Sequence, residues 1–125
     1  MSARSSREKG AQGEELARKY LKAEGFKILD VNFHARMGEI DIIAQDKNTI
    51  VFVEVKSAAH TSFGDPLNWI PVWKQERIIK ASLVYLKSKG LTNSLMRYDV
   101  ITVEPNRKVF SHVRDAFRPG SSFSL

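Results

Sequence analysis

Two short acidic stretches contain the residues whose types and spacing are best suited to chemistry. They are Gly38-Glu39-Ile40-Asp41 and Val53-Glu54-Val55-Lys56. Each stretch lies in a run of β-branched and other apolar residues that predicts a strand. Because side chains alternate along a strand, Glu39 shares a face with Asp41. Glu54 shares a face with Lys56 for the same reason.

The turn between these strands sets their pairing. Asp46-Lys47-Asn48 predicts a hairpin turn between a strand from Gly38 to Gln45 and a strand from Thr49 to Lys56. A two-residue loop at Lys47 and Asn48 pairs Asp46 with Thr49. A three-residue loop would instead shift the pairing by one residue, and a bulge would be needed to restore it.

The two-residue loop crowds charged side chains onto one side of the hairpin. Counting from the loop, Asp41 lies opposite Glu54, and Glu39 lies opposite Lys56. Acids that face each other in a sheet repel, and one ammonium does not neutralise three carboxylates. A divalent cation such as Mg²⁺ would remove the conflict, because hard cations bind carboxylate oxygens.

The alternative is a solvated cluster of salt bridges, which is what charged residues on strands usually form. Against it, both strands are otherwise nearly continuous apolar runs, as in central strands that are buried on both faces. The apolar residues are Ile40, Ile42, Ile43, Val51, Phe52, Val53 and Val55. Carboxylates in such a setting are costly unless they are paired or metal-bound.

Composition narrows the class of protein. The 125 residues suffice for one domain with a real core, and 42% of them are hydrophobic, which excludes a disordered chain. The absence of cysteine excludes disulfides and thiolate chemistry. No apolar stretch is long enough to span a membrane and no secretory signal is visible, so we expect a cytoplasmic protein. The net charge of +6 favours polyanionic partners, and acids clustered in a basic chain are what metal-dependent nucleases need.

The remaining patterns predict an αβββαββ order and a mixed central sheet flanked by helices, which is an α/β fold. Residues 1–9 are expected to be a flexible basic arm, residues 10–117 a single domain, and residues 118–125 a polar tail. The other predicted elements are a helix from Ala11 to Glu24, a strand from Phe26 to Phe33, a loop from His60 to Asn68, a helix with Pro71 in its first turn that ends near Lys89-Gly90, and strands Arg97 to Glu104 and Lys108 to Phe117.

Two residues on the helices extend the candidate site. Glu14 borders the buried face of the first helix, although it could equally be a partner for the helix dipole. Lys74 lies one turn before Ile78 on the inner face of the second helix, and it either points toward the sheet end or snorkels into solvent. Trp69 and Trp73 near the start of that helix are more typical of a core or a dimer face than of base stacking.

Other ionisable residues have no clear chemical role. We expect Asp99 to form a structural pair with Arg97 rather than to act in catalysis. His34, His60 and His112 are scattered without the spacing of metal ligands.

The ordered set of motifs resembles the PD-(D/E)XK nuclease superfamily, and more narrowly the YraN family of small bacterial proteins related to Holliday-junction resolvases. An Asp on the second strand and a Glu-x-Lys on the third are the core of the likeness. The matching elements are Gly10-x-x-Gly13-Glu14-x-x-Ala17, Tyr20-Leu21, Gly25-Phe26, Asn32, Gly38-Glu39-Ile40-Asp41, Val51-Phe52-Val53-Glu54-Val55-Lys56, Phe63-Gly64, Lys74 and Arg97-Tyr98-Asp99-Val100-Ile101. The resemblance covers most of the chain and implies a restriction-endonuclease-like core.

This resemblance implies a structure-selective DNA endonuclease that depends on Mg²⁺ or Mn²⁺. Asp41 and Glu54 would be the metal ligands, with the Val55 carbonyl as a further ligand. Glu39 would bind the metal through water. Glu14 resembles the helix acid that completes metal or water coordination in related resolvases.

The resemblance also implies roles for basic residues. Lys56 would sit beside the attacking water and position it, help to deprotonate it, or offset developing charge. Lys74 would contact the scissile phosphate region, and His34, Arg36 and Arg77 are further candidates for nucleic-acid contacts.

Two departures from the family pattern affect phosphate contacts. His34 stands where an arginine is expected, and Ala58 stands where a basic residue commonly follows the Glu-Val-Lys. The alternative function is therefore a nucleic-acid-binding module whose nuclease activity is weak or lost. The expected partner is DNA, including branched DNA, and a homodimer would suit a symmetric junction.

Overall fold

Seven elements follow one another in the computed structural model, which describes residues 6–57, 70–104 and 109–120. They are α1 (Ser6–Ala23), β1 (Lys27–Ala35), β2 (Gly38–Asp46), β3 (Thr49–Ser57), α2 (Val72–Ser88), β4 (Leu95–Val103) and β5 (Val109–Phe117). The predicted αβββαββ order is confirmed, and the architecture is that of a restriction-endonuclease-like core.

The five strands form one mixed sheet in the order β1-β2-β3-β4-β5. β3 and β4 are parallel, and the other neighbouring strands are antiparallel. Parallel neighbours need a long crossover connection, and α2 lies within it. β3 is therefore a central strand, as its continuous apolar run predicted.

One helix covers each face of the sheet, and each face has its own apolar core. On the α1 face, Ala17 and Leu21 of the helix pack with residues of the sheet and with Phe26. On the α2 face, Ile78 and Tyr85 pack with the opposite side of the same strands. Burial on both sides leaves the middle of the sheet dry, so a charged group there needs a partner.

Some predicted boundaries are wrong. α1 begins at Ser6 rather than Ala11, so residues 6–9, which were predicted to precede the helix, are helical. β1 continues to Ala35, which places His34 in a strand rather than in a loop. The described residues do not include the predicted loop from His60 to Asn68, and they do not include Ala58 or Trp69. Within the described part of the chain, neither helix is long and apolar enough to cross a membrane.

Two glycines let the helices approach the sheet where the candidate site lies. A Cβ on Gly13 of α1 would come within 2.9 Å of a Val103 methyl carbon and 3.0 Å of Ser57 Oγ. A Cβ on Gly38 of β2 would lie 2.6 Å from the carbonyl oxygen of Arg77 in α2. Real Cβ contacts are not this short, so the absence of a side chain brings both helices close to the sheet.

Candidate active site

The β2–β3 hairpin has the register that the two-residue loop predicted. Asp46 pairs with Thr49, and the ladder continues to the pair of Ile42 with Val53. Lys47 adopts a φ of 56°, the left-handed conformation that tight hairpin loops require. The regular pairing ends there, so the predicted pairing of Glu39 with Lys56 is not formed.

Asp41 and Glu54 directly follow the last pair of the ladder, and their carboxyl groups interact. Asp41 Oδ2 accepts a hydrogen bond of 2.8 Å from the Val55 N–H. Burial, together with the neighbouring Glu54 carboxylate, raises the pKa of Asp41 from 3.8 to about 8. Two acids that meet in a dry place cannot both ionise freely, so the pair retains a proton near neutral pH.

Glu54 is the most deeply placed acid of the hairpin, with only 6% of its side chain exposed. Lys74 Nζ from α2 lies 3.0 Å from Glu54 Oε2. Among the described residues, Lys74 is the ion-pair partner of this buried oxygen, and no further hydrogen bond to the oxygen is seen. A carboxylate oxygen has more than one acceptor site, so the ion pair leaves room for a bound group.

Lys74 therefore points toward the sheet end, as one of the two alternatives predicted. Burial by itself lowers the pKa of Lys74, but the Glu54, Asp41 and Glu39 carboxylates together raise it above its ordinary value. The ammonium is thus fully charged at neutral pH. In the absence of a metal, Lys74 provides the positive charge that the buried acids require.

Lys56 follows Glu54 by two residues near the end of β3, and it is half-buried. It forms no hydrogen bond or ion pair with the residues that the structure describes. Because side chains alternate along a strand, Lys56 lies on the same side as Glu54. Among the described residues, its ammonium is therefore not committed to an ion pair.

Glu14 of α1 also reaches this end of the sheet. Burial and the nearby Asp41 carboxylate raise the pKa of Glu14, while a hydrogen bond with the Asn32 side chain opposes the increase. Asn32 has a φ of 50° in β1. The sequence patterns did not predict a site role for Asn32. An asparagine within an apolar strand is nevertheless a signal of the left-handed backbone conformation, which asparagine adopts more readily than most residues.

Glu39 is positioned differently from the prediction. It pairs with His34 of β1 in the sheet, and His34 Nδ1 lies 3.0 Å from Glu39 Oε2. Both side chains are largely exposed. The charge of Glu39 still helps to raise the pKa values of Lys74 and Glu14. Glu39 therefore lies near the site, although no direct contact with Asp41 or Glu54 is described.

A cavity of about 470 Å³ lies between the β1–β2 turn and the start of α2. Three residues predicted to contact nucleic acid line it together with Lys74: His34, Arg36 and Arg77. The cavity is therefore a predominantly basic cleft that adjoins the acids through Lys74. Trp73 also lines it, and this exposed side chain belongs to neither core cluster. Of the two predicted alternatives, the core is therefore wrong for Trp73, and the dimer face stays a prediction.

The donor set fits a hard divalent cation that is bound mainly by carboxylates. Among the described residues, no group of three or more histidine, cysteine, aspartate or glutamate side chains has the arrangement of a metal site. Mg²⁺ does not require one, because it is commonly held by one or two carboxylates with water and substrate phosphate. The adjoining Asp41 and Glu54 carboxyls match that requirement.

A second polar network involves β4, β5 and α1 but serves the fold. Asp99 is fully buried and accepts hydrogen bonds from Arg97 at 2.9 Å and from the Asp115 N–H at 3.0 Å. His112 bridges Asp99 at 2.8 Å and Tyr20 at 3.0 Å. The predicted structural pairing of Asp99 with Arg97 is confirmed.

Comparison with known proteins adds a family relationship. The model of the family described as "Uncharacterised protein family UPF0102" matches residues 13–103. A UPF0102 protein of Persephonella marina is 42% identical over 109 residues, which cover 87% of this chain and 92% of that protein. UPF0102 proteins of Clostridium perfringens and Syntrophomonas wolfei are 44% and 40% identical, and the alignments cover 93% and 99% of those proteins and 87% and 90% of this chain.

Proposed function

Because this chain belongs to the UPF0102 family, the YraN-type group with a PD-(D/E)XK-like fold, we propose that it is a metal-dependent, structure-selective DNA endonuclease. Fold alone does not establish an activity, so the proposal depends on the site. The observation that carries it is the buried Asp41–Glu54 pair, which adjoins a basic cleft through Lys74.

Asp41 and Glu54 would hold Mg²⁺ or Mn²⁺, with the Val55 carbonyl as a further candidate ligand. A bound ion would lower the pKa of a coordinated water and offset negative charge on the phosphate. Asp41 must release its proton to serve as a ligand, and its raised pKa makes that release dependent on pH. Glu14, whose pKa is raised by burial and by the Asp41 charge, would hold a water molecule at the same end of the sheet.

The basic residues would act on the phosphodiester. Lys56 has no described partner, and its ammonium would orient the attacking water or stabilise the oxygens that gain charge. Lys74 would exchange its ion pair with Glu54 for a contact with the scissile phosphate. Arg36 and Arg77 would bind the flanking phosphates along the cleft.

One observation favours the second candidate, a nucleic-acid-binding module without cleavage. The ion pair between Lys74 and Glu54 neutralises one buried acid without any metal. If the ammonium permanently takes the place of the cation, the basic cleft would still bind DNA but would not hydrolyse it.

Thermal melting with and without Mn²⁺ separates the two candidates. A cation that binds the folded state raises its melting temperature by mass action. We expect Mn²⁺ to raise the melting temperature of the wild type but not that of Glu54→Gln. Glu15→Gln is the matched control, because Glu15 lies on the exposed side of α1 and pairs with Lys19. A wild type that shows no shift, with DNA binding intact, would favour the binding module.

A further inference from the structure

Trp73 occupies an unusual position for a large aromatic side chain. It is the second residue of α2, and 60% of its surface is exposed. Its indole lines the basic cleft, and the next residue, Lys74, reaches the buried acid Glu54. An exposed indole that borders a cleft leaves its ring face accessible to a ligand.

Arg77 holds the indole from one turn further along α2. Its guanidinium carbon lies 5.6 Å from the centre of the Trp73 ring, which is a cation–π contact. The close approach of the Arg77 backbone to Gly38 fixes this turn of the helix against β2. The aromatic surface is therefore attached to a rigid part of the site rather than to a loop.

The charge of the cleft indicates what would lie against this indole. Arg36, Lys74 and Arg77 are positively charged, and Lys74 is also paired with the buried Glu54. Among the described residues that line the cleft, Glu39 is the one acid, and it contacts His34. A polyanion with flat apolar groups complements such a surface. Nucleic acid with an unpaired base has both properties, whereas a fully paired duplex keeps the faces of its bases stacked inside.

We propose that Trp73 is a stacking platform for an unpaired base next to the scissile phosphate. This inference rests on the proposed function and specifies its substrate class: DNA with a single-stranded or unpaired nucleotide at the cleavage site. Lys74 and Arg77 bind the phosphates on either side of the stacked nucleotide. Fully paired duplex binds through its phosphates alone.

The test compares binding of a single-stranded oligonucleotide with binding of the same sequence as a duplex, in EDTA so that no cleavage is needed. We expect Trp73→Ala to weaken single-strand binding roughly 5- to 100-fold, as the loss of one base–aromatic stack does, and to change duplex binding less than about twofold. Trp73→Phe should retain most of the affinity. Val72→Ala is the matched control, because Val72 is equally exposed but does not line the cleft.

Equal weakening of single-strand and duplex binding, or no weakening of either, would overturn the inference. So would a wild type that binds neither oligonucleotide, or a dimer that Trp73→Ala converts to a monomer without a selective loss of single-strand binding. The binding outcomes do not depend on cleavage. A selective loss of single-strand binding in a protein that cuts nothing supports the platform and contradicts the nuclease. If the wild type cuts DNA and Trp73→Ala leaves the ratio of flap to duplex cleavage unchanged, the proposed nuclease function is supported and the stacking role of Trp73 is contradicted.

Discussion

Replacing Asp41 with asparagine should make the metal-free protein more stable, although it removes a proposed metal ligand. Burial and the neighbouring Glu54 raise the pKa of Asp41 from 3.8 to about 8. At pH 7 the folded protein therefore retains a proton that the unfolded chain releases. Asparagine has nearly the same shape as the protonated acid and needs no proton, so Asp41→Asn avoids this cost.

The size and sign of the effect follow from proton linkage. Each pH unit over which the two states differ by one proton changes the free energy of unfolding by about 1.4 kcal/mol. Between pH 3.8 and pH 7 the limit is about 4 kcal/mol. Because the folded state binds the extra proton, the contribution of Asp41 to stability falls as pH rises from about 4 to about 8. The advantage of Asp41→Asn should grow over the same interval.

Urea unfolding in EDTA at several pH values between 5 and 8 measures this difference. At each pH, the free energy of unfolding of the wild type is subtracted from that of Asp41→Asn. Contributions from the histidines cancel in this difference, because both proteins contain the same histidines. Asp30→Asn is the matched control, because Asp30 accepts a hydrogen bond from its neighbour Val31 and has no carboxylate partner in the described structure. The reasoning is refuted if Asp41→Asn is less stable than the wild type at pH 8, or if the difference does not increase with pH.

Three further perturbations test other parts of the site and fold. Lys56→Ala should remain folded and bind DNA but cleave it at least roughly 100-fold more slowly, because the substitution removes the group proposed to stabilise the transition state. A much lower melting temperature with normal turnover per folded molecule would show that Lys56 stabilises the fold instead. Gly38→Ala should destabilise the fold by about 1–3 kcal/mol in urea, because its Cβ would meet α2 at 2.6 Å, whereas Gly10→Ala, whose Cβ meets nothing within 4 Å, should not. Burial alone would raise the pKa of Asp99, but hydrogen bonds with His112 and Arg97 lower it. Asp99 therefore stabilises the fold above about pH 4, and this contribution is lost in stronger acid. Asp99→Asn should lower the free energy of unfolding by about 3 kcal/mol or more at pH 7, and a decrease of less than about 1 kcal/mol would contradict a structural role.

The sequence predicted the part of the site that depends on local rules. A two-residue loop fixes the hairpin register, and that register brings Asp41 beside Glu54. Helical spacing likewise placed Lys74 on the inner face of α2, from which it reaches Glu54. Both inferences needed only the periodicity of strands and helices.

Features that depend on neighbouring elements could not be predicted in this way. The hairpin pairing stops after Ile42 and Val53, so Glu39 is not paired with Lys56 of β3. On its other edge, β2 continues, and Glu39 pairs with His34 of β1. Whether a strand keeps its partner is decided by the whole sheet, which the loop count does not include. The cleft around Trp73 was missed for a similar reason, because it forms only where the β1–β2 turn meets α2.

Cleavage of a panel of branched and linear DNAs with Mg²⁺ or Mn²⁺ is the most direct test of the central claim that this site hydrolyses phosphodiesters. The wild type should cut at least one branched or flapped substrate better than plain duplex, and only when a divalent ion is present. Asp41→Asn, prepared in parallel and folded, should cut none of them. A folded wild type that cleaves no substrate with either ion, or an Asp41→Asn variant that cleaves as fast as the wild type, would contradict the account.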